Sequence, residues 1–268
     1  MKIRQNMPAL VTINALNKAE NAASKAMERL SSGLKINSAK DNAAGLAIAN
    51  KLDTQSKGLN QANRNVMDGI SMIQTAEGAL NEVSDMLVRM KELVTQGGSG
   101  TYDDVDKANI QMEIDTLVEE INSIKNKTNF NGQKILNSNG NIMLHIGADQ
   151  DENLVVDGAA INLYQTTDQI NGLKIEDGDA QSRVEEAIKQ TATIRGHLGA
   201  YQNRLEHTAT NLGVSEENMV AALSRIQDAD MAEEMTAYTQ YNVITQAANA
   251  MLAQANQRPQ QVLQLLNA

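Results

Sequence analysis

Bulky aliphatic residues recur at every seventh position along a long stretch in the first half of the chain. The series is Leu52, Leu59, Val66, Ile73, Leu80, Leu87 and Val94. A strict seven-residue repeat keeps one apolar line on an α-helix when that helix supercoils around another helix. Ordinary globular helices seldom keep the repeat over such a length. The pattern therefore predicts a long helix that packs on a partner helix along most of its length.

A second series with the same spacing supplies the partner. It consists of Val184, Thr191, Leu198, Leu205, Leu212, Met219 and Ile226. Each series is accompanied by a weaker line of smaller or mixed residues, such as Ala62 and Ala76 in the first and Ala187 and Ile194 in the second. Two series of equal length predict one rod folded back on itself, roughly 60 Å long at about 1.5 Å per residue.

Both ends of the chain show thinner apolar patterns with helical spacing. The apolar residues of these patterns are Ile13, Leu16, Met27 and Leu30 at the start, and Met251, Leu252, Leu265 and Leu266 at the end. Alanine, asparagine and serine surround them, so neither helix has enough apolar surface to be stable alone. We expect the N- and C-terminal helices to pair in a terminal coiled coil.

The sequence pattern changes from helical to turn-rich between about residues 131 and 172. Turn pairs such as Asn131-Gly132 and Asp157-Gly158 separate short β-type runs there. The runs at 142–146 and 160–164 are predicted to be strands of a small hairpin or sheet. The fold class is therefore mainly α: a long antiparallel helical coiled-coil bundle with a small β-hairpin insert.

Local signals indicate where the long helices begin and end. Asp41 or Asn42 is expected to cap the first long helix, which stops at the glycine-rich run 97–100. Asp103 and Asp104 favour the start of an intervening helix. The predicted helices cover about 44–97, 103–128 and 180–227.

Composition and charge exclude several function classes. Aromatic residues are 2% of the chain and prolines number two, which suits thin helix seams. The net charge of −10 argues against a nucleic-acid partner, because phosphate binding needs a basic face. Residues 1–40 carry a net charge of +5 and residues 216–234 one of −5, which favours pairing between them. Two solvated helix faces are the alternative interpretation.

No apolar run is long enough for a transmembrane helix, and no secretory apolar region follows the basic start.

The inventory of reactive side chains argues against an enzyme. Cysteine is absent, and the three histidines are scattered without a zinc-binding pair. Asp149 and Asp151 begin like a calcium loop, but Leu154 stands where the turn glycine belongs. A polar hairpin tip is the better interpretation of that segment. We expect no catalytic residue, no metal and no cofactor.

Several motifs, in order along the chain, resemble those of bacterial flagellin. They are LSSGLKIN at 30–37, DNAAGLAI at 41–48, IQTAEGAL at 73–80, NFNG at 129–132, QNRLEHT at 202–208, SRIQDADMA at 224–232 and MLAQAN at 251–256. The resemblance covers both ends and both long helices.

The resemblance implies a structural subunit that polymerises into the flagellar filament for motility. It implies an inner coiled-coil domain formed by residues 1–43 and 228–268, and a helical rod domain formed by residues 44–227. Many members of the family carry large outer domains between the two halves. This chain has only a short insert there, so functions located in outer domains are not expected.

The resemblance also implies a route of export and a set of partners. Flagellins leave the cell unfolded through the flagellar secretion apparatus, without a cleaved signal, and end in the extracellular filament. The expected partners are other copies of the chain in a helical homopolymer, an export chaperone, the cap protein and the hook-associated proteins. Membrane insertion is not expected. The terminal segments 1–40 and 231–268 are predicted to drive polymerisation.

Some flagellins are recognised by a vertebrate Toll-like receptor, and the motif LVRMKEL at 87–93 resembles the region concerned. By this resemblance Arg89, Leu93 and Glu113 fall at receptor-contact positions, while Val88 replaces a more usual polar residue. The alternative interpretation is that Leu93 flanks the helix seam and that Arg89 is a surface charge.

Two other functions fit parts of the same evidence. A hook-filament junction protein shares the terminal motifs, and a cytosolic coiled-coil scaffold would share the helical repeats. Export into the medium separates the scaffold from the two flagellar proteins. Copy number separates a filament subunit from a junction protein.

Overall fold

The computed structural model describes residues 6–138 and 140–266, with side chains up to residue 258. The helices are α1 Met7–Ser32, α2 Ala43–Gly97, α3 Asp104–Lys127, α4 Gly158–Ile161, α5 Tyr164–Ile170, α6 Ala180–Gln227 and α7 Met231–Leu266. The strands are β1 Asn129–Phe130, β2 Gln133–Lys134, β3 Ile142–His145 and β4 Asn153–Val156. This order confirms the predicted mainly α fold, in which long helices flank a small β insert.

The chain forms two compact units. The terminal unit consists of the described residues up to 54 and from 218 onward, and the central unit consists of residues 55–217. Because α2 and α6 cross the boundary, each of these helices contributes residues to both units. The predicted division into inner and rod domains at residues 43 and 227 stays a prediction.

In the central unit α2 and α6 pack side by side and run in opposite directions. Three polar contacts show this antiparallel register: Lys91 with Glu185 at 3.0 Å, Glu77 with Arg195 at 3.9 Å, and Asn60 with Glu216 at 2.8 Å. The two seven-residue series run along the same stretch of the helix pair. The buried members are Leu59, Val66, Ile73, Leu80, Leu87 and Val94 on α2 and Val184, Thr191, Leu198, Leu205 and Leu212 on α6. Leu52, Met219 and Ile226 lie in the terminal unit and are half-buried.

The helix α3 adds a third layer to the central unit. Asp103 caps its start, and Ile110, Ile114 and Ile121 bury one face. Gln111 holds the segment after α5, because its side chain donates to the carbonyl of Leu173 at 2.8 Å and accepts from the amide of Ile175 at 3.0 Å. The apolar face of α3 therefore faces the core.

The β insert differs from the prediction in its second strand. β3 pairs with β4 in an antiparallel hairpin, so the partner of 142–145 is Asn153–Val156 and not 160–164. The expected strand over 160–164 is wrong. The carboxylate of Asp157 accepts from the amide of Ala159 at 2.9 Å, which starts the helical turn α4 where a hairpin turn was expected. Residues 146–152 connect the two strands, so the polar tip lies there.

The hairpin lies against the α2/α6 pair within the central unit. Asn65 on α2 donates to the carbonyl of His145 at 3.0 Å. A Cβ atom at Gly69 would lie 2.7 Å from Leu144, so the glycine lets strand and helix approach closely. Among the helices of the described residues, none combines the length and the apolar character needed to cross a bilayer.

Candidate functional site

The terminal unit contains the helices that the sequence predicts to assemble. α1 begins where the side chain of Asn6 accepts from the amide of Ala9 at 3.2 Å, with Pro8 in the first turn. It ends at Gly33, whose φ of 72° is left-handed and whose amide donates to the carbonyl of Arg29. Asp230 caps the start of α7, because its carboxylate accepts from the amide of Ala232 at 2.9 Å. Both starts are therefore capped by short polar side chains.

The links that follow α1 and precede α7 are bonded to each other. The amide of Lys35 donates to the carbonyl of Gln227 at 2.6 Å, and the amide of Ala229 donates to the carbonyl of Gly33 at 2.9 Å. These bonds form an antiparallel bridge between Leu34 and Asp228. The bridge brings the C-terminal end of α1 next to the N-terminal end of α7.

The pair α1/α7 is antiparallel and its seam is built mainly from alanine. Asn6 donates to the carbonyl of Ala255 at 2.9 Å at one end, and Arg29 contacts Glu234 at 2.9 Å at the other. Among the described side chains of the two helices, the buried apolar residues are Ala9, Ala19, Ala26 and Ala255. Alanine lets the two backbones approach closely but removes little apolar surface from water. This seam is thin, as the sequence predicts.

Bulky apolar residues of the two helices lie outside this seam. Ile13, Met27 and Met251 are exposed, while Leu16, Leu30 and Leu252 are half-buried. The side chains of Leu265 and Leu266 lie outside the described residues. Further exposed apolar residues are Met7, Leu10, Val11, Met231, Met235, Val243 and Ile244. The terminal pair therefore presents a large apolar surface that nothing in the isolated chain covers.

One part of this surface is a shallow groove along α7. It has a volume of about 570 Å³ and is lined by Met235, Thr236, Thr239, Gln240, Val243 and Ile244. These residues recur at intervals of four, so they lie on one face of α7 and the groove runs along the helix axis. Such a face stabilises the chain only when another apolar surface covers it.

The sequence pattern did not reveal which residues of α1 face α7. It pointed to the bulky residues, whereas the structure buries Ala9, Ala19 and Ala26. The seven-residue separation of Ala19 and Ala26 is a signal for this seam, but alanine is so frequent in α1 that other alanines compete with it.

A second candidate site lies on α2 and α3 of the central unit. The guanidinium of Arg89 donates to Glu113 at 3.0 Å and to Glu92 at 3.1 Å. The hydrogen bond to Glu113, followed by that to Glu92, raises the pKa of Arg89. Both Arg89 and Glu113 are about half exposed, but Leu93 is only 2% exposed. The structure thus brings Arg89 and Glu113 together on the surface and places Leu93 in the core.

The described residues contain no group of three or more histidine, cysteine, aspartate or glutamate side chains arranged to hold a metal ion. At the hairpin tip, Asn153 contacts His145 through its side chain at 2.6 Å.

Comparison with known proteins agrees with this geometry. The chain matches the bacterial flagellin N-terminal helical region over residues 3–141 and the bacterial flagellin C-terminal helical region over residues 182–266. It is 47% identical over 271 residues to the flagellin of Halalkalibacterium halodurans, covering 99% of this chain and 100% of that one. It is 45% identical over 304 residues to the flagellin of Bacillus subtilis, again covering 99% of this chain and 100% of that one.

A solved structure, of a putative flagellar hook-associated protein from Vibrio parahaemolyticus, is similar with a TM-score of 0.50. It covers 70% of this chain and 97% of its own, at 13% identity, so this likeness shows the fold alone.

Long paired helices with exposed bulky apolar residues on the terminal pair are typical of structural proteins that assemble with copies of themselves. Within that class, this chain belongs to the bacterial flagellin family. It is a structural subunit of the flagellar filament and not an enzyme. Similarity over the full length of flagellins favours this function over the junction protein and the cytosolic scaffold.

Proposed function

We propose that this flagellin polymerises through its terminal helix pair, and that neighbouring copies cover the exposed apolar residues of α1 and α7. The observation that supports the proposal is the alanine seam, which leaves the bulky apolar residues of both helices on the outside. A fully exposed Val or Leu side chain gains about 1.5–3 kcal/mol on burial, so covering several of them favours assembly. A contact that repeats without closing generates an open helical polymer.

Seeded elongation tests this proposal. Purified chain is incubated with short filament seeds and fibre length is measured by electron microscopy. We expect long fibres from the intact chain and none from a chain that lacks residues 231–268. Fibres of equal length from both would contradict the proposal.

A point variant in the α7 groove makes the test independent of truncation. Val243→Asp places a carboxylate on the apolar face, and we expect elongation to slow by about tenfold or more, since about 1.4 kcal/mol corresponds to a factor of ten. Thr239→Val, in the same groove, makes the face more apolar and should elongate at least as fast as the wild type. Circular dichroism of both monomers shows whether the helices are intact.

The proposal includes export and extracellular assembly. The chain would leave the cell unfolded through the flagellar secretion apparatus, aided by an export chaperone, and would add to the filament beneath the cap protein, beyond the hook-associated proteins. Two features support this route. The chain has no cysteine, so no disulfide obstructs unfolding, and its terminal unit has little buried apolar surface to unfold. Secretion of the chain by cells with the apparatus, and its retention by cells without it, is the expected result.

The proposal also includes recognition by a vertebrate Toll-like receptor at Arg89 and Glu113. Its support is that these two side chains form one exposed ion pair across α2 and α3. Leu93 is buried, so we assign it a supporting role in the core of the central unit. Arg89→Ala should reduce receptor signalling by monomeric flagellin, whereas Arg64→Ala, an exposed arginine on the same helix, should not. Unchanged signalling by Arg89→Ala would contradict this assignment.

A further inference from the structure

The sulfur chemistry of this chain is confined to methionine. There are thirteen methionines and no cysteine. Among the methionines whose side chains the structure describes, eight are exposed: Met7, Met27, Met67, Met112, Met143, Met231, Met235 and Met251. Among the same described side chains, Met72 and Met90 are buried, and both lie on α2. These eight exposed thioether side chains are therefore accessible to a soluble oxidant.

Five of the eight exposed methionines lie on the terminal pair α1/α7. They are Met7 and Met27 on α1 and Met231, Met235 and Met251 on α7. Two of these have exposed apolar neighbours on the same helical face. Met7 lies beside Leu10 and Val11, and Met235 lines the groove that continues to Val243. These thioethers are therefore part of the apolar surface that assembly is proposed to bury.

We infer that the methionines of α1 and α7 are oxidation sites, and that their conversion to the sulfoxide blocks addition of the subunit to a filament. This inference rests on the proposed assembly through the terminal pair. The block of assembly would be reversible, because methionine sulfoxide reductases return the sulfoxide to the thioether.

The reaction is a two-electron oxygen transfer from a peroxide. The sulfur lone pair attacks the terminal oxygen of the peroxide, an S–O bond forms and the O–O bond breaks. Sulfur is oxidised to the sulfoxide, and the peroxide leaves as water or an alcohol after proton transfer. The side chain keeps its length but acquires a strong hydrogen-bond acceptor.

The consequence depends on whether the subunit is free or assembled. In the free chain water solvates the sulfoxide oxygen, so oxidation does not destabilise the fold of the monomer. When a neighbouring copy covers that face, the oxygen loses its water without gaining a donor, which opposes assembly. A methionine already covered in a filament is shielded from the oxidant. Oxidation is thus expected to stop growth and to leave existing filaments in place.

The experiment compares peroxide-treated monomer with treated filaments. Hydrogen peroxide is applied to each, the excess is removed, and sulfoxide at each methionine is quantified by mass spectrometry of peptides. Treated monomer is then added to untreated seeds. We expect sulfoxide at the five terminal methionines of the monomer and about tenfold slower elongation, which corresponds to one unpaired polar group buried per contact. Incubation with methionine sulfoxide reductases should restore elongation.

Two sets of substitutions assign the effect to residues. In one variant the five terminal methionines become leucine; in the matched control Met67, Met112 and Met143 of the central unit become leucine. All eight positions are exposed, and leucine preserves the apolar character, so both variants are expected to fold. After peroxide treatment the terminal variant should elongate at its untreated rate, whereas the control should slow like the wild type.

The single variants Met235→Leu and Met235→Gln keep the test decisive if the fivefold variant elongates poorly before treatment. Glutamine imitates the polar sulfoxide without oxidation and should slow elongation, while leucine should not. Equal slowing of the terminal variant and the control by peroxide, or unchanged elongation of oxidised wild type, would overturn the inference. Failure of untreated wild type to elongate would instead contradict the proposed function.

Discussion

Leu87 and Val88 are neighbours on α2 with opposite environments. Leu87 is fully buried in the seam between α2 and α6, and Val88 is 47% exposed. Leu87→Ala removes buried methyl groups and leaves a cavity, so we expect it to lower the free energy of unfolding of the central unit by about 2–5 kcal/mol. Val88→Ala should change it by no more than about 0.5 kcal/mol. Urea unfolding of the monomer, followed by circular dichroism, measures both, and similar losses would show that the seam is not the core.

Asp41, in the link between α1 and α2, makes the terminal unit sensitive to pH. The Ser38 hydroxyl, 3.0 Å away, and the Ser38 amide donate to its carboxylate, and these bonds lower the pKa of Asp41 although partial burial opposes them. A lowered pKa in the folded state stabilises the fold at pH values above the unfolded pKa of about 3.9. That contribution disappears as the pH falls through the folded pKa.

We therefore expect Asp41→Asn to lower the thermal stability of the terminal unit at pH 7 and to have a smaller effect once the pH falls below the lowered pKa of Asp41 in the folded state. Ser38→Ala removes the hydroxyl that is the main hydrogen-bond donor to Asp41. This variant should therefore lose most of the pH-dependent stability that Asp41 gives the wild type. Melting curves of the three proteins across this range decide the matter. A deficit of Asp41→Asn that is constant with pH would exclude the ionised carboxylate as its cause.

At the scale of elements, replacing glycine by alanine should have opposite effects on stability at two positions, because only one of the two glycines lies close to another backbone segment. A Cβ atom at Gly158, the first residue of α4, would overlap the carbonyl oxygen of Gly140, which is backbone and cannot turn aside. At Gly78, on α2, a Cβ atom meets nothing within 4 Å. We expect Gly158→Ala to lower the free energy of unfolding by about 1–3 kcal/mol. Gly78→Ala should raise it by about 0.5–1 kcal/mol, because alanine is the better helix former.

Thermal unfolding of the two glycine variants checks the difference in sign. Loss of stability in both variants would mean that α2 requires glycine at position 78 for a reason other than space. Gain in both would mean that the insert relaxes around residue 158 without cost.

At the scale of the whole molecule, the two units differ in the apolar residues that they bury. Within the described side chains, the buried apolar residues of the terminal unit are Ala9, Ala19, Ala26, Ile36, Ala49 and Ala255, whereas leucine, isoleucine and valine dominate the central unit. Local stability follows buried apolar area, so the terminal unit should open more readily. This difference suits a chain whose ends become ordered by assembly.

Hydrogen exchange followed by mass spectrometry measures that difference. In the monomer we expect amides of α1 and α7 to exchange at least about tenfold faster than amides of the α2 and α6 segments in the central unit. In filaments the amides of α1 and α7 should become strongly protected. Equal protection of both units in the monomer would contradict a marginal terminal pair.

Much of the fold was predictable because the long helices carry strong periodic signals. The repeat from Leu59 to Val94 is a property of neighbouring turns of one helix, so it is visible in the sequence without knowledge of the partner. The predicted mainly α fold is confirmed on this ground. The turn at Asn131-Gly132 was also readable, since both residues have positive φ, which Asn and Gly adopt most easily.

The pairing of distant segments was not predictable in the same way. The run 160–164 is rich in apolar residues, as a short strand would be, yet Asp157 caps a helical turn there and β3 pairs with β4 instead. Likewise, Leu93 is next to the seam residue Val94, and only the packing of the central unit shows that its side chain is buried.

The sequence alone determined the presence of the long helices, the seven-residue seams and the absence of thiol chemistry, because these depend on residues close together in the chain or on composition. The tertiary structure decided that alanine and not the bulky residues of α1 faces α7, that Arg89 meets Glu113, and which methionines remain in solvent. These outcomes depend on contacts between segments far apart in the chain, where several pairings satisfy the same local pattern and packing selects one.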